Sequence, residues 1–279
     1  GRYLRSRRRD AGVSVIAVFF FFGIMLGVAA LIIVMSVMNG FRGELLMRIL
    51  GVNGHVIMYP IDQPLTDYDA VAQRIQGVDG VQFVMPMVQG QVLAQGPNTG
   101  STGALVRGVR LADLTKLAPV SANVKLGTLE GFDTGQGVAV GSRLAQSLGI
   151  GLGDNITLVS PDGDVTAFGT APRVKAYPVS AIFEIGMSEY DAAYVYMPLA
   201  EAQLFFNQED RVQSIEIFVD HPDEVQALQP QIEAAAGRPV YTVTWQSQNE
   251  SFFSALNVER NVMFIILTLI VLVAALNII

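Results

Sequence analysis

Few side chains in this sequence have the types and spacing that catalysis or metal binding requires. The two histidines, His55 and His221, are far apart and have no glutamate at metal-ligand spacing, so we interpret both as strand or surface residues. The acidic pair Asp162 and Asp164 lacks the other oxygen ligands of a calcium loop, which favours a hairpin tip. There is no cysteine, so thiol catalysis and disulfides are excluded.

Nucleotide-binding and hydrolase motifs are also missing from the sequence. Residues 149–154 (GIGLGD) have the glycine spacing of a dinucleotide turn, but they follow a helical pattern and precede a strand-like one. We therefore predict a turn into a strand there. Neither a GxxxxGK[ST] phosphate loop nor a GxSxG elbow is present, so the chain cannot bind ATP in the P-loop manner. We predict that it is not an enzyme and that it holds no cofactor of its own.

Two long apolar stretches dominate the two ends of the sequence. Residues 13–38 carry no charge, and a helix of that length extends about 39 Å, against about 30 Å of bilayer hydrocarbon. This stretch is too long for a signal peptide core. Residues 262–279 contain only Thr268 and Asn277 as polar side chains. We predict two membrane spans, the second of them truncated, and we expect the sequence to be a fragment that lacks the C-terminal half of its protein.

The charge distribution predicts the orientation in the membrane. Residues 1–10 contain five arginines and one aspartate, whereas residues 41–260 contain 13 basic and 24 acidic side chains. Because basic flanks stay in the cytoplasm, we place residues 1–12 there and residues 39–261 on the outer side. An acidic outer region also argues against nucleic acid as a partner.

The outer region has the mixed pattern of an α+β domain. Residues 52–95 and 212–243 each suggest strand–helix–strand units of a membrane-proximal subdomain, and residues 104–200 suggest an inserted β-rich subdomain. Residues 81–95 suggest two strands broken near Pro86, and Thr66 to Asp69 are expected to cap a helix. Helices are expected at 68–76, 142–148, 198–206 and 222–236, and strands at 52–59, 104–109, 137–140, 155–160, 174–185, 193–197, 212–219 and 240–243.

Several stretches of the sequence resemble one family. RYLRSRRR at 2–9, GVAALIIVMSVMNGF at 27–41, RILGV at 48–52 and the segment 252–279 are similar to the LolC and LolE membrane subunits of the bacterial lipoprotein-releasing ABC transporter. The middle of the chain is similar as well, at 137–158 and 182–191. The glycine–strand patterns there are shared with the wider superfamily of MacB-like exporter permeases and FtsX-like cell-division permeases.

The resemblance implies an architecture and a set of partners. The protein would be an α-helical, multi-pass membrane protein of the bacterial inner membrane, with a large MacB-like periplasmic core domain of α+β fold. A separate LolD-type ATPase would bind ATP and Mg²⁺, and a second LolC/LolE-type subunit would complete a homo- or heterodimer. Triacylated lipoproteins would leave the outer leaflet of membrane lipid for a LolA-type periplasmic carrier.

The resemblance also implies two groups of site residues. Lipoprotein-binding positions are Met35 and Met38 on the first span, with Phe264 and Ile265 on the second; flexible methionine suits acyl chains, although ordinary lipid or helix contacts are the alternative. The segment 160–175 between two strand-like runs is expected to be a long, protruding hairpin loop that contacts the carrier. Its apolar tip would be Ala167 and Phe168, flanked by Pro161 and Pro172 and supported by Arg173 and Lys175.

Other interpretations stay open at this point. IFEIGMSEYD at 182–191 is closer to LolE-type subunits, for which carrier docking is not expected, so LolC-like, LolE-like and merged subunits are all possible assignments. An exporter permease of the MacB type would dock a periplasmic adaptor, and a cell-division permease would regulate a wall hydrolase. A two-span sensor receptor would carry a signalling region beyond residue 279 instead of two more spans.

Overall fold

The structure is a computed structural model that describes residues 21–23, 25–38, 40, 50–97, 100–135, 137–166, 169–250, 258, 261–269 and 273. The chain divides into two compact units. The first combines Gly1–Met47 with Asn249–Ile279, and the second is Arg48–Gln248.

The first unit contains the N-terminal apolar helix. Phe21–Met38 is long and apolar enough to cross a membrane, judged by length and composition. Its large side chains are exposed on nearly every side, and among its described residues Leu31 alone is buried. A helix that is apolar all round suits lipid. Residues 261–269 are also helical, but 270–272 and 274–279 lie outside the described residues, so the second span stays a prediction.

The second unit is built on strands that connect into one path. The strands are β1 (Val56–Pro60), β2 (Val81–Gln95), β3 (Ser101–Val109), β4 (Val124–Gly127), β5 (Val138–Gly141), β6 (Asn155–Thr166), β7 (Gly169–Phe183), β8 (Tyr194–Pro198), β9 (Ser214–Val219) and β10 (Val240–Thr244). Their order is β10-β1-β9-β2-β3-β8-β5-β7-β4, and β6 pairs with both β2 and β7. The pairs β3–β8 and β5–β7 are parallel, and the other pairs are antiparallel.

Short helices cover and connect these strands. Two of them, over 68–76 and 142–148, have the bounds that the sequence predicts. The helices are α1 (Tyr68–Gln76), α2 (Leu111–Leu114), α3 (Ala118–Ser121), α4 (Ser142–Leu148), α5 (Ser188–Ala193), α6 (Leu199–Phe205), α7 (Val225–Ala236) and α8 (Trp245–Gln248), with a 3-10 turn at Pro222–Glu224. The strands of 52–95 and 212–243 lie at one end of the path and those of 104–200 at the other, and the division into subdomains stays a prediction.

The strand β2 corrects the prediction of two strands broken near Pro86. It is one strand of 15 residues that joins the two ends of the path. Its residues 81–87 pair with β9, and its residues 88–95 pair with β3. At Pro86 only β9 is paired with β2, because pairing with β3 begins at Val88 and pairing with β6 at Leu93, and a proline, which lacks an N–H, fits where the second side has no partner.

The residues at the ends of the helices have only some of the roles that the sequence predicts. Asp67 stands at the N-cap of α1, but its carboxylate pairs with Arg238 at 2.6 Å and makes no capping hydrogen bond. At the C-terminal end of α4, Gly149 adopts the left-handed conformation, with φ of 60°, and ends the helix. Since β6 begins at Asn155, the glycine-rich run is a turn into a strand, as predicted.

The core contains residues that the sequence analysis left unassigned. Leu114, Leu117 and Val120, which belong to α2, α3 and the turn between them, are buried against the sheet. Phe83 and Phe218 stack with ring centroids 4.2 Å apart, which fixes β2 against β9. These residues belong to one hydrophobic core within the large unit.

Candidate functional site

The first candidate site is the ribbon formed by β6 and β7. Pairing runs from Asn155 with Pro178 to Thr166 with Gly169. Most of the predicted hairpin loop is thus paired strand, which corrects that expectation. The pairing is interrupted once, because residues 161–163 stand opposite Pro172 as a bulge, the position where strands tolerate proline. Ala167 and Phe168, the predicted apolar tip, lie outside the described residues.

Basic side chains at the base of this ribbon are engaged with α6. The guanidinium of Arg173 donates to the carbonyl oxygens of Leu204 and Phe205, at the C-terminal end of that helix. Carbonyl groups at a helix C-terminus favour a cation because they have no partner within the helix. This contact fixes the ribbon to the end of α6.

A second contact joins the ribbon to the middle of α6. The ammonium of Lys175 lies 2.6 Å from Oε1 of Glu201, and the hydroxyl of Tyr177 donates to the same oxygen at 2.8 Å. Burial and the Glu201 carboxylate both raise the pKa of Tyr177, so this hydroxyl keeps its proton. Asn207 adds a longer contact, from its amide nitrogen to the carbonyl of Gly163 at 3.4 Å. Arg173 and Lys175 therefore hold the base of the ribbon against α6. Their predicted contact with a carrier stays a prediction.

The two prolines of the ribbon border a shallow groove of about 480 Å³. Both Pro161 and Pro172 are exposed, and the groove lies where the ribbon meets β2. The prolines thus shape the base of the ribbon and not its end. The other lining residues are Gln91, Val92, Leu93 and Val159.

The predicted lipoprotein-binding residues belong to the first compact unit. Met35 is exposed and Met38 is half-buried on the N-terminal apolar helix. Phe264 and Ile265 are exposed on the helical residues 261–269, at 72% and 64%. Their exposure leaves them available to lipid, and their contact with lipoprotein stays a prediction. Among the residues that the structure describes, no cluster of histidine and acidic side chains could hold a metal ion.

The second candidate site is a buried ion pair in the large unit, formed by Arg107 and Glu216. Arg107 on β3 is 1% exposed and Glu216 on β9 is 2% exposed, and their N–O distance is 2.5 Å. Arg107 also donates to the carbonyl of Val52 at 3.0 Å and to the hydroxyl of Tyr196 at 3.3 Å. Its guanidinium lies 5.4 Å from the centre of the Tyr194 ring. One side chain thus connects the segment at residue 52 with β3, β8 and β9.

The residues next to Val52 are held by the same cluster. The backbone N–H of Gly54 donates to the second carboxylate oxygen of Glu216 at 3.0 Å. A Cβ at Gly54 would lie 2.7 Å from Cβ of Glu216, so a glycine is needed for this approach. The amide of Asn53 donates to the hydroxyl of Tyr190 at 2.8 Å and accepts from that of Tyr194 at 3.3 Å. We call residues 52–54 the entry segment, since they lie near the N-terminal end of the large unit, which begins at Arg48. They replace the beginning of the predicted strand 52–59, which starts only at Val56.

Electrostatics keep the buried side chain of Arg107 charged. Burial by itself would lower the pKa of Arg107, but the Glu216 carboxylate and the Tyr196 hydroxyl raise it above its ordinary value. Burial raises the pKa of Tyr196, so that hydroxyl stays neutral and can accept the hydrogen bond from Arg107. Because the charged guanidinium has several hydrogen-bond partners, these contacts offset the desolvation cost that a lone buried charge would incur.

Sequence analysis missed both members of this pair, although a signal was present. Each is a single charged residue within an apolar strand pattern, ALVRGV at 104–109 and SIEIFV at 214–219. A charge on the buried face of a strand needs a partner, and two such charges of opposite sign in one domain predict a pair.

His55 gives this region a pH dependence. The N–H of Val219 donates to Nδ1 at 2.9 Å, and burial lowers the pKa of the ring below its ordinary value of 6.5. The unfolded chain therefore binds a proton more readily, and stability conferred by neutral His55 is lost as the pH falls below about 6.5. We expect the unfolding midpoint in urea to decrease from about pH 7 to pH 5.5, with a smaller decrease in His55→Gln. His221→Gln, at an exposed position, serves as the matched control variant.

Comparisons with known proteins place this geometry in context. The model of a family described as the MacB-like periplasmic core domain matches residues 17–235. The lipoprotein-releasing system transmembrane protein LolC of Neisseria meningitidis serogroup B is 32% identical over 281 residues, which cover 100% of this chain and 67% of that protein. LolE of Haemophilus influenzae is 28% identical and is covered to 68%. The periplasmic region of MacB from Actinobacillus actinomycetemcomitans aligns with a TM-score of 0.46 and 12% identity, covering 75% of this chain and 97% of that structure.

Proposed function

Because this chain belongs to the LolC/LolE family and carries a MacB-like periplasmic core domain, we propose that it is a permease subunit of a lipoprotein-releasing ABC transporter. It extracts triacylated lipoproteins from the outer leaflet of the bacterial inner membrane and passes them to a LolA-type periplasmic carrier. A separate LolD-type ATPase supplies the energy, and a second LolC/LolE-type permease subunit completes the membrane part. The large domain faces the periplasm, and the protein crosses the membrane several times.

The observation that best supports carrier docking is that the β6–β7 ribbon is held in place by α6. Its base is tied to α6 by Arg173 and Lys175, while its pairing continues to Thr166 and Gly169. A two-stranded ribbon alone is marginally stable in water, and such a mount keeps it in one orientation. This arrangement suits a projection that inserts an apolar tip, Ala167 and Phe168, into a carrier protein.

The apolar helix supports the membrane side of the proposal. Met35 and Met38 lie towards its C-terminal end, where the outer leaflet meets the periplasm in the predicted orientation. Flexible, polarisable side chains at that depth suit acyl chains that enter from the leaflet. We propose the same role, contact with acyl chains, for Phe264 and Ile265 on the second span.

Site-specific photo-crosslinking from position 168 tests the function directly. The probe is placed in the full-length protein in membranes, with periplasm present. Capture of one small lipoprotein carrier supports the proposal and assigns this subunit to carrier docking. Capture of a membrane-fusion adaptor would instead favour a MacB-like exporter. With normal expression and no periplasmic crosslink, a LolE-like subunit becomes the better assignment, and Phe168→Glu should then leave lipoprotein transfer unchanged.

The contact between Lys175 and Glu201 leads to a prediction about how the basic side chains act. If they mount the ribbon, Lys175→Met and Glu201→Gln should reduce crosslinking from position 168 by similar factors, because each removes one partner of the same ion pair. If Lys175 binds the carrier directly, only Lys175→Met should reduce it. The measurement is the crosslinked fraction of each variant at equal expression. The pair Lys125–Glu184, which is exposed on both sides and lies 3.7 Å apart, provides the control variant Lys125→Met.

A further inference from the structure

The entry segment has more ties to the domain than its short length suggests. Within residues 52–54, a carbonyl, an amide side chain and a backbone N–H are each bonded to a different part of the cluster. Through Arg107 and Glu216 these ties reach β3 and β9, which are not adjacent in the sheet but flank β2. A displacement of the entry segment therefore acts on both sides of β2, the strand that joins the two ends of the path.

A buried ion pair is a costly way to stabilise a fold. Removing two charges from water often costs as much as their attraction returns, and apolar residues of similar volume frequently perform as well. Arginine offers something that an apolar residue does not, namely several donors in a fixed fork. Here that fork contacts Val52, Glu216 and Tyr196 at the same time. The fixed geometry of these contacts, more than their energy, distinguishes the ion pair from apolar side chains of similar volume.

The sheet continues from this cluster to the ribbon. Arg107 lies on β3, which pairs with residues 88–95 of β2. Leu93, Ala94 and Gln95 of β2 pair in turn with Val159, Leu158 and Thr157 of β6, at the base of the ribbon. Main-chain hydrogen bonds thus form a continuous path from β3 to the ribbon, and the Arg107 side chain connects that path to the entry segment.

We propose that Arg107 is a positioning residue that, together with Glu216, couples displacement of the entry segment to β3, β9 and the base of the ribbon. The proposal rests on the proposed function, because it assigns to this pair the step between ATP hydrolysis and release of lipoprotein to the carrier. Without the pair, the entry segment moves while the sheet does not follow. ATP is then hydrolysed without proportionate release.

The test uses the complete transporter, with its ATPase and partner subunit, reconstituted in proteoliposomes. The double variant Arg107→Met/Glu216→Met removes both charges and leaves neither buried without a partner. Arg107→Lys keeps the charge opposite Glu216 but cannot reproduce the fork. The matched control is Arg110→Met, which removes an arginine one residue beyond the same strand, paired with Asp69 and Asp113 and 36% exposed.

Two quantities are measured for each variant. The first is lipoprotein released to carrier per ATP hydrolysed, which a loss of folded protein alone does not change. We expect it to fall about tenfold in both Arg107 variants, the upper range for one coupling position, and to stay unchanged in Arg110→Met. The second is the change in hydrogen exchange that ATP causes in β3 and β9, which we expect in the wild type but not in the Arg107 variants.

The outcomes separate this inference from the proposed function. Unchanged release per ATP in Arg107→Lys, or an ATP effect that still reaches β3 and β9 in the variants, overturns the inference. The absence of any ATP effect on those strands in the wild type overturns it as well. If the wild type shows the ATP effect and the variants lose it, but no lipoprotein is released by any of them, the coupling role is supported and the proposed substrate is wrong.

Discussion

Replacing Arg107 with alanine will lower the free energy of unfolding by about 3–5 kcal/mol. The Glu216 carboxylate is 2% exposed and would keep only the backbone N–H of Gly54 among its described partners. An uncompensated charge in that position is far more costly than the missing contact itself. Unfolding can be followed through Trp245, the one tryptophan of the sequence, which is buried and donates to the carbonyl of Pro222 at 2.8 Å.

Two further variants show whether burial is the cause. Arg110→Ala removes an exposed ion pair with Asp69, and such pairs contribute about 1 kcal/mol or less. It also removes one of the two partners of Asp113, which keeps Lys116 and so is not left unpaired. Arg107→Met/Glu216→Met should recover much of the stability lost in Arg107→Ala, because no charge is then left unpaired. Equal loss in Arg107→Ala and Arg110→Ala would contradict a buried, charged pair.

Gly163→Ala will disrupt the β6–β7 ribbon and reduce lipoprotein transfer to the carrier. A Cβ at this position would overlap the carbonyl oxygen of Ala171 and lie 2.7 Å from the backbone nitrogen of Arg173. Overpacking of this kind costs about 1–3 kcal/mol. Because the ribbon is held to the domain at its base, we expect local opening, with the equilibrium constant for opening raised about ten- to a hundredfold, and not global unfolding.

The matched variant for this prediction is Gly103→Ala. Gly103 also lies in a paired strand, opposite Leu93, but a Cβ there meets nothing within 4 Å. ATP-dependent transfer of lipoprotein to carrier and hydrogen exchange of residues 155–183 are measured for both. The prediction fails if Gly163→Ala transfers lipoprotein as well as Gly103→Ala does while its ribbon exchanges faster, since the ribbon would then be unnecessary for transfer.

Elements defined by local signals could be predicted closely. The helices Tyr68–Gln76 and Ser142–Leu148 have the expected bounds, since apolar spacing and a following glycine act within a few residues of each other. The family followed from continuous motifs at both ends of the chain and is supported by relatives that align along its whole length. The proposed roles of Met35, Met38 and Phe168 depend on partners that no intramolecular contact reveals, so they stay predictions.

The amino-acid sequence by itself determined the apolar helix, the α+β character of the large domain and the location of most strands, because these follow from neighbouring residues. Only the tertiary structure decided which elements meet. Arg107 and Glu216 are 109 residues apart, and Gly54 and Glu216 are 162 apart. Likewise, the sequence predicts that Lys175 and Arg173 bind a partner, whereas the tertiary structure places α6 beside them and engages both side chains with it. Such pairings depend on how strands are ordered in the sheet, which local periodicity does not specify, and the buried charges that connect them are determined by that order.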